Sequence, residues 1–403
     1  MGGRIMASTI NADTSNGVVI TPDTSGELEL QSAGVTKAKV TANGLQDANG
    51  NSLRGGMYRN LIINGDMQIA QRGTSSSSYS TGDTYLTLDR WRSNIVSSGT
   101  WTMSQDTDVP TGQGFASSMK WDCTTANASL PTNAFMYTLQ SFEGQNLQQL
   151  KKGTSNAEPV TLSFWVKSNK TGTYTVFLYD VDNTRLISKA YTIDVADTWE
   201  KKTITYAGDT TGALDNNNGR SLDVRFMLAS GTDWSSGTLQ TSWAANVTAN
   251  RAVGQVNLAD STSNYINITG VQLEVGEGAS DFENLPYDVQ LQRCQRYCVV
   301  LKHNANQYVG TLGYCQLSNA LNGILLTTNT MRTTPTVTVD GNYRALLGNS
   351  APTLTGFTLT PFMNNAGVSI ALTSVTGATF TPREPSRLLG GTTPGSTTLS
   401  AEL

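Results

Sequence analysis

The stretch Val160-Thr161-Leu162-Ser163-Phe164-Trp165-Val166-Lys167 decides the fold class of this chain. Every second residue is apolar, which is the pattern of a β-strand that buries one face. The residues predicted to share the buried face are Val160, Leu162, Phe164 and Val166. Trp165 falls on the opposite face, between two polar neighbours. The segment therefore predicts a strand of a sandwich that carries an aromatic ring on its polar side.

More strand-like segments follow this one, with turn residues between them. They are Gly172 to Val181, Leu186 to Ile193, Lys201 to Tyr206, Ser221 to Ala229 and Tyr265 to Val275. All seven tryptophans lie between Tyr58 and Tyr287, so the principal core belongs there. We predict an all-β chain with a jelly-roll sandwich over residues 58–287. A short helix is predicted on its surface from Ser141 to Lys152, with Ser141 as the cap and Gly153 after the end.

Composition excludes several classes of function. Only 14% of the 403 residues are charged, against roughly a quarter in a typical globular protein. The net charge of −4 offers no basic excess for nucleic acid or an anionic membrane. No apolar run is long enough to span a bilayer. His303 is the one histidine, which disfavours general-base and imidazole–metal chemistry. We expect neither nucleic-acid binding, nor membrane insertion, nor a cofactor.

Residues 1–57 contain no aromatic side chain, and their apolar residues come in short groups such as Val18-Val19-Ile20. The segment Gly26 to Gln31 alternates strictly, so Leu28 and Leu30 need an apolar surface from elsewhere. Identical chains are the simplest source of that surface, and a flexible tail is the alternative. We predict a β stem in which identical chains intertwine as an oligomer.

The region after residue 287 opens with an amphipathic pattern from Val289 to Lys302, in which Leu291, Cys294, Cys298 and Leu301 recur at helical spacing. This pattern predicts a connecting helix over residues 288–307. Short β segments follow, among them Thr336 to Val339, Phe357 to Leu359 and Val368 to Leu372. They predict a smaller β domain over residues 308–403.

Aromatic side chains on polar strands and loops are candidates for stacking on the apolar face of a sugar ring. Trp165 is the first candidate, and Tyr179 could lie beside it on the next strand. The loop from Thr232 to Trp243 adds Trp234 and Trp243, and we include Trp101. For each of these rings, packing in the core is the competing explanation.

Catalytic and metal sites find little support. Glycoside cleavage needs two carboxylates at a defined separation, and the pairs Asp180/Asp182 and Asp106/Asp108 recur by chance in solvated turns. We expect no catalytic residues. The set Cys294, Cys298, His303 and Cys315 matches no standard zinc spacing, so we expect buried apolar thiols and no metal.

Several motifs together resemble the jelly-roll domain of bacteriophage tail-fibre proteins, which is similar to carbohydrate-binding modules. They are Asn60-Leu61-Ile62-Ile63-Asn64-Gly65-Asp66-Met67, Leu88-Asp89-Arg90-Trp91, Leu162 to Lys167, Thr198-Trp199-Glu200 and Gly270 to Gly276. Cys294-Gln295-Arg296-Tyr297 also resembles a segment that often follows that domain. Asn267-Ile268-Thr269-Gly270 stands where many such modules carry the paired aspartates of a calcium site, so we do not assign a calcium site.

The resemblance implies a virion protein that is made in the host cytoplasm and mounted on the particle. It would be a homotrimeric tail fibre or short appendage, held to other tail, baseplate or connector proteins by its N-terminal region. Its jelly rolls would bind a host-surface polysaccharide during adsorption. Two alternatives remain: a tailspike that depolymerises the same glycan, and a structural or decoration fibre without a ligand.

Overall fold

The computed structural model describes residues 58–306, 331–341 and 394–403 continuously. Elsewhere it describes strands within residues 28–32, 35–41, 44–47, 313–317, 320–324, 343–347, 353–354, 356–364, 367–376 and 385–390. The predicted group Val18 to Ile20 lies outside the described residues. The chain divides into two compact units, Met1–Met57 with Glu277–Asp281, and Tyr58–Gly276 with Phe282–Leu403.

In the first unit, three short strands form an antiparallel sheet in the order β1-β2-β3. They are β1 (Leu28–Ser32), β2 (Val35–Thr41) and β3 (Gly44–Asp47). Leu28 lies opposite Val40, which in turn lies opposite Leu45, so these side chains share one face with Leu30. Leu30, Val40 and Leu45 are each more than 40% exposed in the single chain. The predicted strand with an uncovered apolar face is therefore present.

The second unit is built around a two-sheet sandwich, which confirms the all-β class. Its strands are β4 (Ser75–Tyr79), β5 (Gly82–Tyr85), β6 (Arg92–Val96), β7 (Thr100–Asp106), β8 (Ser118–Thr125), β9 (Phe135–Glu143), β10 (Val160–Ser168), β11 (Gly172–Asp180), β12 (Arg185–Ile193), β13 (Glu200–Tyr206), β14 (Arg220–Ser230), β15 (Ala244–Ala245) and β16 (Tyr265–Val275). The six-stranded sheet has the order β13-β10-β16-β8-β7-β4, and the seven-stranded sheet has the order β15-β12-β11-β14-β9-β6-β5. Every recorded pairing within these sheets is antiparallel.

The core lies between the two sheets, where their apolar faces meet. Val160, Leu162, Phe164 and Val166 of β10 are all buried in it, as the alternation predicted. The Phe164 ring meets Phe226 and Tyr191 of the opposite sheet edge-on, with ring centroids 5.1 Å apart in both pairs. The hydroxyl of Tyr206 on β13 crosses the core to donate to the Val176 carbonyl at 3.1 Å.

The motif around Asn64 fixes the chain at one end of the sandwich. Asn64 adopts a positive φ of 59°, and its side chain bonds the backbone of Ile69 and Asp89. The indole N–H of Trp91 donates to the Asn64 carbonyl at 3.0 Å. Gly65 follows, and a Cβ there would lie 2.1 Å from the Val271 carbonyl oxygen, so this position requires glycine. The first two motifs of the tail-fibre resemblance are thus joined through buried hydrogen bonds.

The predicted helix from Ser141 to Lys152 is wrong. Ser141, Phe142 and Glu143 extend β9 and pair with β14, and the Ser141 hydroxyl donates to Asp223 instead of capping a helix. Two 3-10 turns follow, Gly144–Asn146 and Gln148–Leu150. The sheet ladder uses the backbone groups that a helix would need, so helical spacing of Leu147 and Leu150 was not sufficient.

A short helix, α1 (Thr232–Ser235), and two further 3-10 turns, Thr248–Asn250 and Leu258–Asp260, lie in the connection from β14 to β16. After the sandwich come helix α2 (Tyr287–Gln295) and strand β17 (Cys298–His303). The predicted helix from Val289 to Lys302 therefore starts earlier and ends at Gln295, because the chain beyond Tyr297 pairs with the last strand.

The remaining strands form two more antiparallel sheets. They are β18 (Gly313–Leu317), β19 (Ala320–Ile324), β20 (Thr336–Asp340), β21 (Tyr343–Leu347), β22 (Thr353–Leu354), β23 (Gly356–Asn364), β24 (Gly367–Thr376), β25 (Pro385–Gly390) and β26 (Gly395–Ser400). One sheet has the order β17-β26-β20 and the other β22-β21-β25-β18-β19-β24-β23. The predicted strands at Thr336, Phe357 and Val368 are all confirmed, while the division at residues 287 and 307 stays a prediction. No helix in the described part of the chain is long and apolar enough for a bilayer crossing.

Helix α2 and β17 are tied to the sandwich through Glu143, whose side chain is fully buried. Its carboxylate accepts two bonds from the Arg296 guanidinium, at 2.7 and 2.6 Å, and one from the Tyr297 hydroxyl at 2.5 Å. Burial alone would raise the pKa of Glu143, but these donors outweigh burial and hold that pKa below its ordinary value. The ionised form of Glu143 therefore stabilises the fold.

Glu143→Gln should lower the free energy of unfolding by about 2 kcal/mol at neutral pH, because the bonds to a charged acceptor become bonds to a neutral amide. Since the folded-state pKa is depressed, this contribution is present above the ordinary pKa of 4.5 and is lost as the pH falls through the folded value. Urea unfolding from pH 7 to pH 3 measures it. Glu158→Gln, which removes an exposed pair with Lys151, is the control and should change little. A pH-independent difference between wild type and Glu143→Gln would contradict the assignment.

Candidate functional site

The outer face of the seven-stranded sheet carries aromatic and arginine side chains that lie outside the main core. Along β11, Tyr174, Val176 and Leu178 enter the core, so Phe177 and Tyr179 point to the other side. Phe177 lies opposite Arg225 of β14, and Tyr179 lies opposite Asp223. Strand alternation and register therefore place rings and charges side by side on one surface.

We call this group the outer-face cluster. Its members are Phe135, Tyr137, Phe177, Tyr179, Trp234, Arg225 and Arg251. Trp234, from the short helix α1, packs on Phe135 with ring centroids 4.5 Å apart and on Tyr137 at 5.9 Å. Phe135 and Tyr137 stack at 5.3 Å. Phe135 and Tyr179 are only partly buried, so two of the rings reach the surface.

The two arginines lie over the faces of these rings. The guanidinium carbon of Arg225 is 4.5 Å from the Tyr179 centroid and 5.2 Å from that of Tyr137. The guanidinium carbon of Arg251 is 4.6 Å from the Trp234 centroid and 5.4 Å from that of Tyr179. These are cation–π contacts. Nε and one terminal nitrogen of Arg225 donate to Asp223, and Nε of Arg251 donates to Asn246.

Asp223 is the carboxylate that anchors this surface. It is fully buried and accepts bonds from Arg220, from Arg225 and from the Ser141 hydroxyl. Burial alone would raise the pKa of Asp223, but the two arginines and the hydroxyl lower it below its ordinary value. Asp223 therefore stays ionised at neutral pH and fixes the position of Arg225 under Tyr179.

Of the predicted aromatic site residues, the structure brings Tyr179 and Trp234 together and separates Trp165 from both. Trp165 lies on the outer face of the six-stranded sheet, where its cross-strand neighbours are Lys201 and Thr269. The expectation that Tyr179 lies beside Trp165 is therefore wrong: β10 and β11 follow one another in sequence but belong to opposite sheets, so their outward faces point apart.

Trp101 and Trp243 serve packing. Trp101 is fully buried in the core, and its indole N–H donates to the Ser98 carbonyl at 2.7 Å, so its inclusion as a ligand-binding residue is corrected. Trp243 packs against the core while partly exposed, and its N–H donates to the Ala207 carbonyl at 2.8 Å. The Lys152 ammonium lies 5.2 Å from the centre of its ring.

Sequence reasoning missed Tyr137, Phe177, Arg225 and Arg251. The signal for Arg225 was present, because a charged residue stands inside the otherwise apolar run Val224 to Leu228. Arginine is rarely buried unless it is paired, so such a position indicates a partner or a site. Arg251 carries no comparable local signal, since it follows a polar loop.

The carboxylates considered for catalysis are held by neighbouring groups. Asp180 is buried against the Lys152 ammonium. Asp108 accepts from the Trp199 indole at 2.9 Å and from Lys167 at 2.7 Å. Within the described ranges, no group of three or more His, Cys, Asp or Glu side chains is placed to hold a metal ion. Cys123, Cys294 and Cys298 are free, buried thiols, as expected for the two in α2 and β17.

The chain is similar to known proteins in structure only. No family model matches the sequence, and no curated protein matches it. The chain is similar to the enzymatically active domain of tailspike protein 4 of bacteriophage CBA120, with 15% identity and a TM-score of 0.29 over 54% of this chain and 22% of that one. It is also similar to TmCBM61 in complex with β-1,4-galactotriose, with 9% identity and a TM-score of 0.29 over 54% and 99% of the two chains.

A third similar structure is the family 11 carbohydrate-binding module from Clostridium thermocellum in complex with a β-1,3-1,4-mixed-linked tetrasaccharide. Its identity is 12% and its TM-score is 0.24, over 52% of this chain and 99% of the module. This chain covers only 22% of the length of the tailspike domain that it matches. TM-scores this low do not establish a common fold, so the functional argument rests on the side chains described above.

Asp223→Asn should destabilise the second unit by about 3 kcal/mol, because it leaves two guanidinium groups without their shared negative charge. Urea unfolding at pH 7 measures the change. Asp194→Asn is the matched control: Asp194 is 65% exposed and pairs with Lys202, so its loss should cost little. Equal stability of the two variants would show that Asp223 does not anchor the outer face.

Proposed function

We propose that this chain binds a host-surface glycan through the outer-face cluster, as part of a trimeric tail fibre or short appendage of a bacteriophage virion. The observation that carries the proposal is the convergence of five aromatic rings and two guanidinium groups on one face of the sandwich. The main core lies on the other side of the same strands. On this face Tyr137, Phe177 and Trp234 form a second, buried cluster, and Phe135 and Tyr179 pack against it while remaining partly exposed.

Sugar recognition needs an apolar platform and directional polar groups close to it. The C–H face of a pyranose stacks on aromatic rings, and its hydroxyls accept or donate hydrogen bonds. Phe135 and Tyr179 supply ring surface that reaches solvent, and the terminal nitrogens of Arg251 supply donors beside it. The arrangement therefore suits a saccharide that lies across β9, β14 and β11.

A trimer would turn a weak site into useful attachment. Linked copies raise the effective concentration of the second and third binding events, so avidity exceeds the affinity of one site. The exposed apolar face of the N-terminal sheet supports self-association, since Leu30, Val40 and Leu45 gain burial only from another chain or another segment. Attachment to tail, baseplate or connector proteins through residues 1–57 completes this proposal.

The virion role rests on the sequence motifs of the tail-fibre resemblance. Two of these motifs also have a structural role in this chain. Asn64 and Trp91 belong to the two motifs joined by buried hydrogen bonds at the end of the sandwich. Binding without cleavage is proposed because the carboxylates at Asp108 and Asp180 are engaged in ion pairs. The protein would act outside the host cell after synthesis in its cytoplasm.

Tyr179→Ala should weaken retention on host surface polysaccharide by about tenfold, because loss of one stacking ring removes roughly 1–1.5 kcal/mol. Affinity electrophoresis through immobilised polysaccharide measures it, with thermal unfolding as the check on folding. Trp165→Ala is the matched control on the opposite sheet. Loss of retention in Trp165→Ala but not in Tyr179→Ala would place the site on the six-stranded sheet instead.

Incubation of the protein with the host polysaccharide also separates the rival functions. Retention without shortening of the polysaccharide supports a binding protein, whereas shortened chains would support a depolymerising tailspike. Absence of retention for the wild-type protein would favour a structural fibre and contradict the proposed function.

If the chain forms a trimer, light scattering on the full chain should give three times its monomer mass. Val40→Asp should dissociate it, because a charge replaces an apolar side chain on the uncovered face. Val195→Asp changes an even more exposed valine outside that sheet and should leave the mass unchanged. A monomeric wild-type chain would refute the stem as a trimerisation element.

A further inference from the structure

Arg251 is a buried cation without a carboxylate partner among the residues that the structure describes. Its side chain lies within the outer-face cluster, and only 8% of the residue is exposed. Its Nε donates to Asn246 Oδ1 at 2.9 Å. In the part of the chain that the structure describes, its terminal nitrogens donate no hydrogen bond and it joins no ion pair. The end of the guanidinium fork is thus left without an acceptor.

The charges around Arg251 do not balance. Arg220 and Arg225 share the single carboxylate of Asp223, and Arg251 adds a third guanidinium to the same surface. Burial, followed by repulsion from Arg225, lowers the pKa of Arg251 to about 10. Arg251 therefore remains charged at neutral pH, at a cost in free energy that a bound anion would offset.

The rings beside Arg251 limit which kind of anion could bind its guanidinium. Its guanidinium carbon lies 4.6 Å from the centre of Trp234 and 5.4 Å from that of Tyr179. A sugar stacked on partly exposed Tyr179 would bring a substituent of its ring to the edge of this guanidinium. The planar fork of arginine matches the two oxygens of a carboxylate in a bidentate pair.

We propose that the glycan bound by the outer-face cluster is acidic, and that Arg251, assisted by Arg225, receives the carboxylate of a uronate residue while the aromatic rings stack on its neighbours. This inference rests on the proposed function and specifies its ligand. A sulfated sugar presents a similar oxyanion, so the experiment must separate the two chemistries.

The first test compares acidic polysaccharides with neutral forms of identical linkage. The probes are oligogalacturonate, hyaluronate and alginate, each beside its carboxyl-reduced product, together with a sulfated galactan. Titration calorimetry of the full chain should give about 10- to 100-fold tighter binding to a uronate probe than to its reduced form. Tighter binding to the sulfated galactan than to every uronate would overturn the choice of carboxylate.

The second test uses variants of the proposed receptor. Arg251→Gln should abolish the preference, so that its affinities for the acidic probe and for the reduced form become equal within about twofold. Arg251→Lys should retain part of the preference, because the charge remains and the fork is lost. Lys201→Gln removes one exposed positive charge from the opposite sheet and is the matched control, with no expected change.

The outcomes keep this inference distinct from the proposed function. Equal binding of acidic and reduced probes by the wild-type protein overturns the inference and leaves glycan binding intact. Binding to no probe and to no host polysaccharide contradicts the proposed function itself. An acidic preference that survives in folded Arg251→Gln, or that falls equally in Lys201→Gln, removes Arg251 from the site. The comparison of wild-type ligands decides the question even if Arg251→Gln fails to fold.

Discussion

The seam between the two sheets is the interaction on which the rest of this molecule depends. Phe164 meets Phe226 and Tyr191 edge-on across it, and Tyr206 reaches the backbone of the facing strand. Because strand side chains alternate, burying one row of each strand at this seam fixes the opposite row on the outside. The outer faces, and every site on them, follow from that packing.

On the outer face of the seven-stranded sheet, the outward side chains combine aromatic rings with arginines and a buried carboxylate. Asp223 is buried, ionised and shared by two arginines, so it holds Arg225 beneath Tyr179. The connection after β14 then returns over the sheet and adds Trp234 and Arg251 from above. In the proposed function, these rings and the positive charge of the arginines contact an anionic glycan.

Local sequence patterns predicted the strands well and the helices poorly. The segments around Phe164, Leu178 and Phe226 were recognised because alternation is a property of one strand. Helical spacing misled at Leu147 and beyond Tyr297, since pairing with distant strands took over the backbone hydrogen bonds. Alternation placed Trp165 on the outward face of β10 correctly, whereas Trp101 was included as a site residue although it shares the apolar face of β7 with Met103, and both are buried.

By itself, the sequence determined the all-β class, the two faces of each long strand and the uncovered apolar face of the N-terminal segment. Only the tertiary structure decided which outward faces combine. Tyr137, Arg225 and Arg251 are far apart in the chain and meet through the β9–β14 pairing and the loop that follows β14. The physical reason is that alternation follows from the geometry of one strand, whereas a shared surface depends on the register between strands and on the charge balance that this register creates.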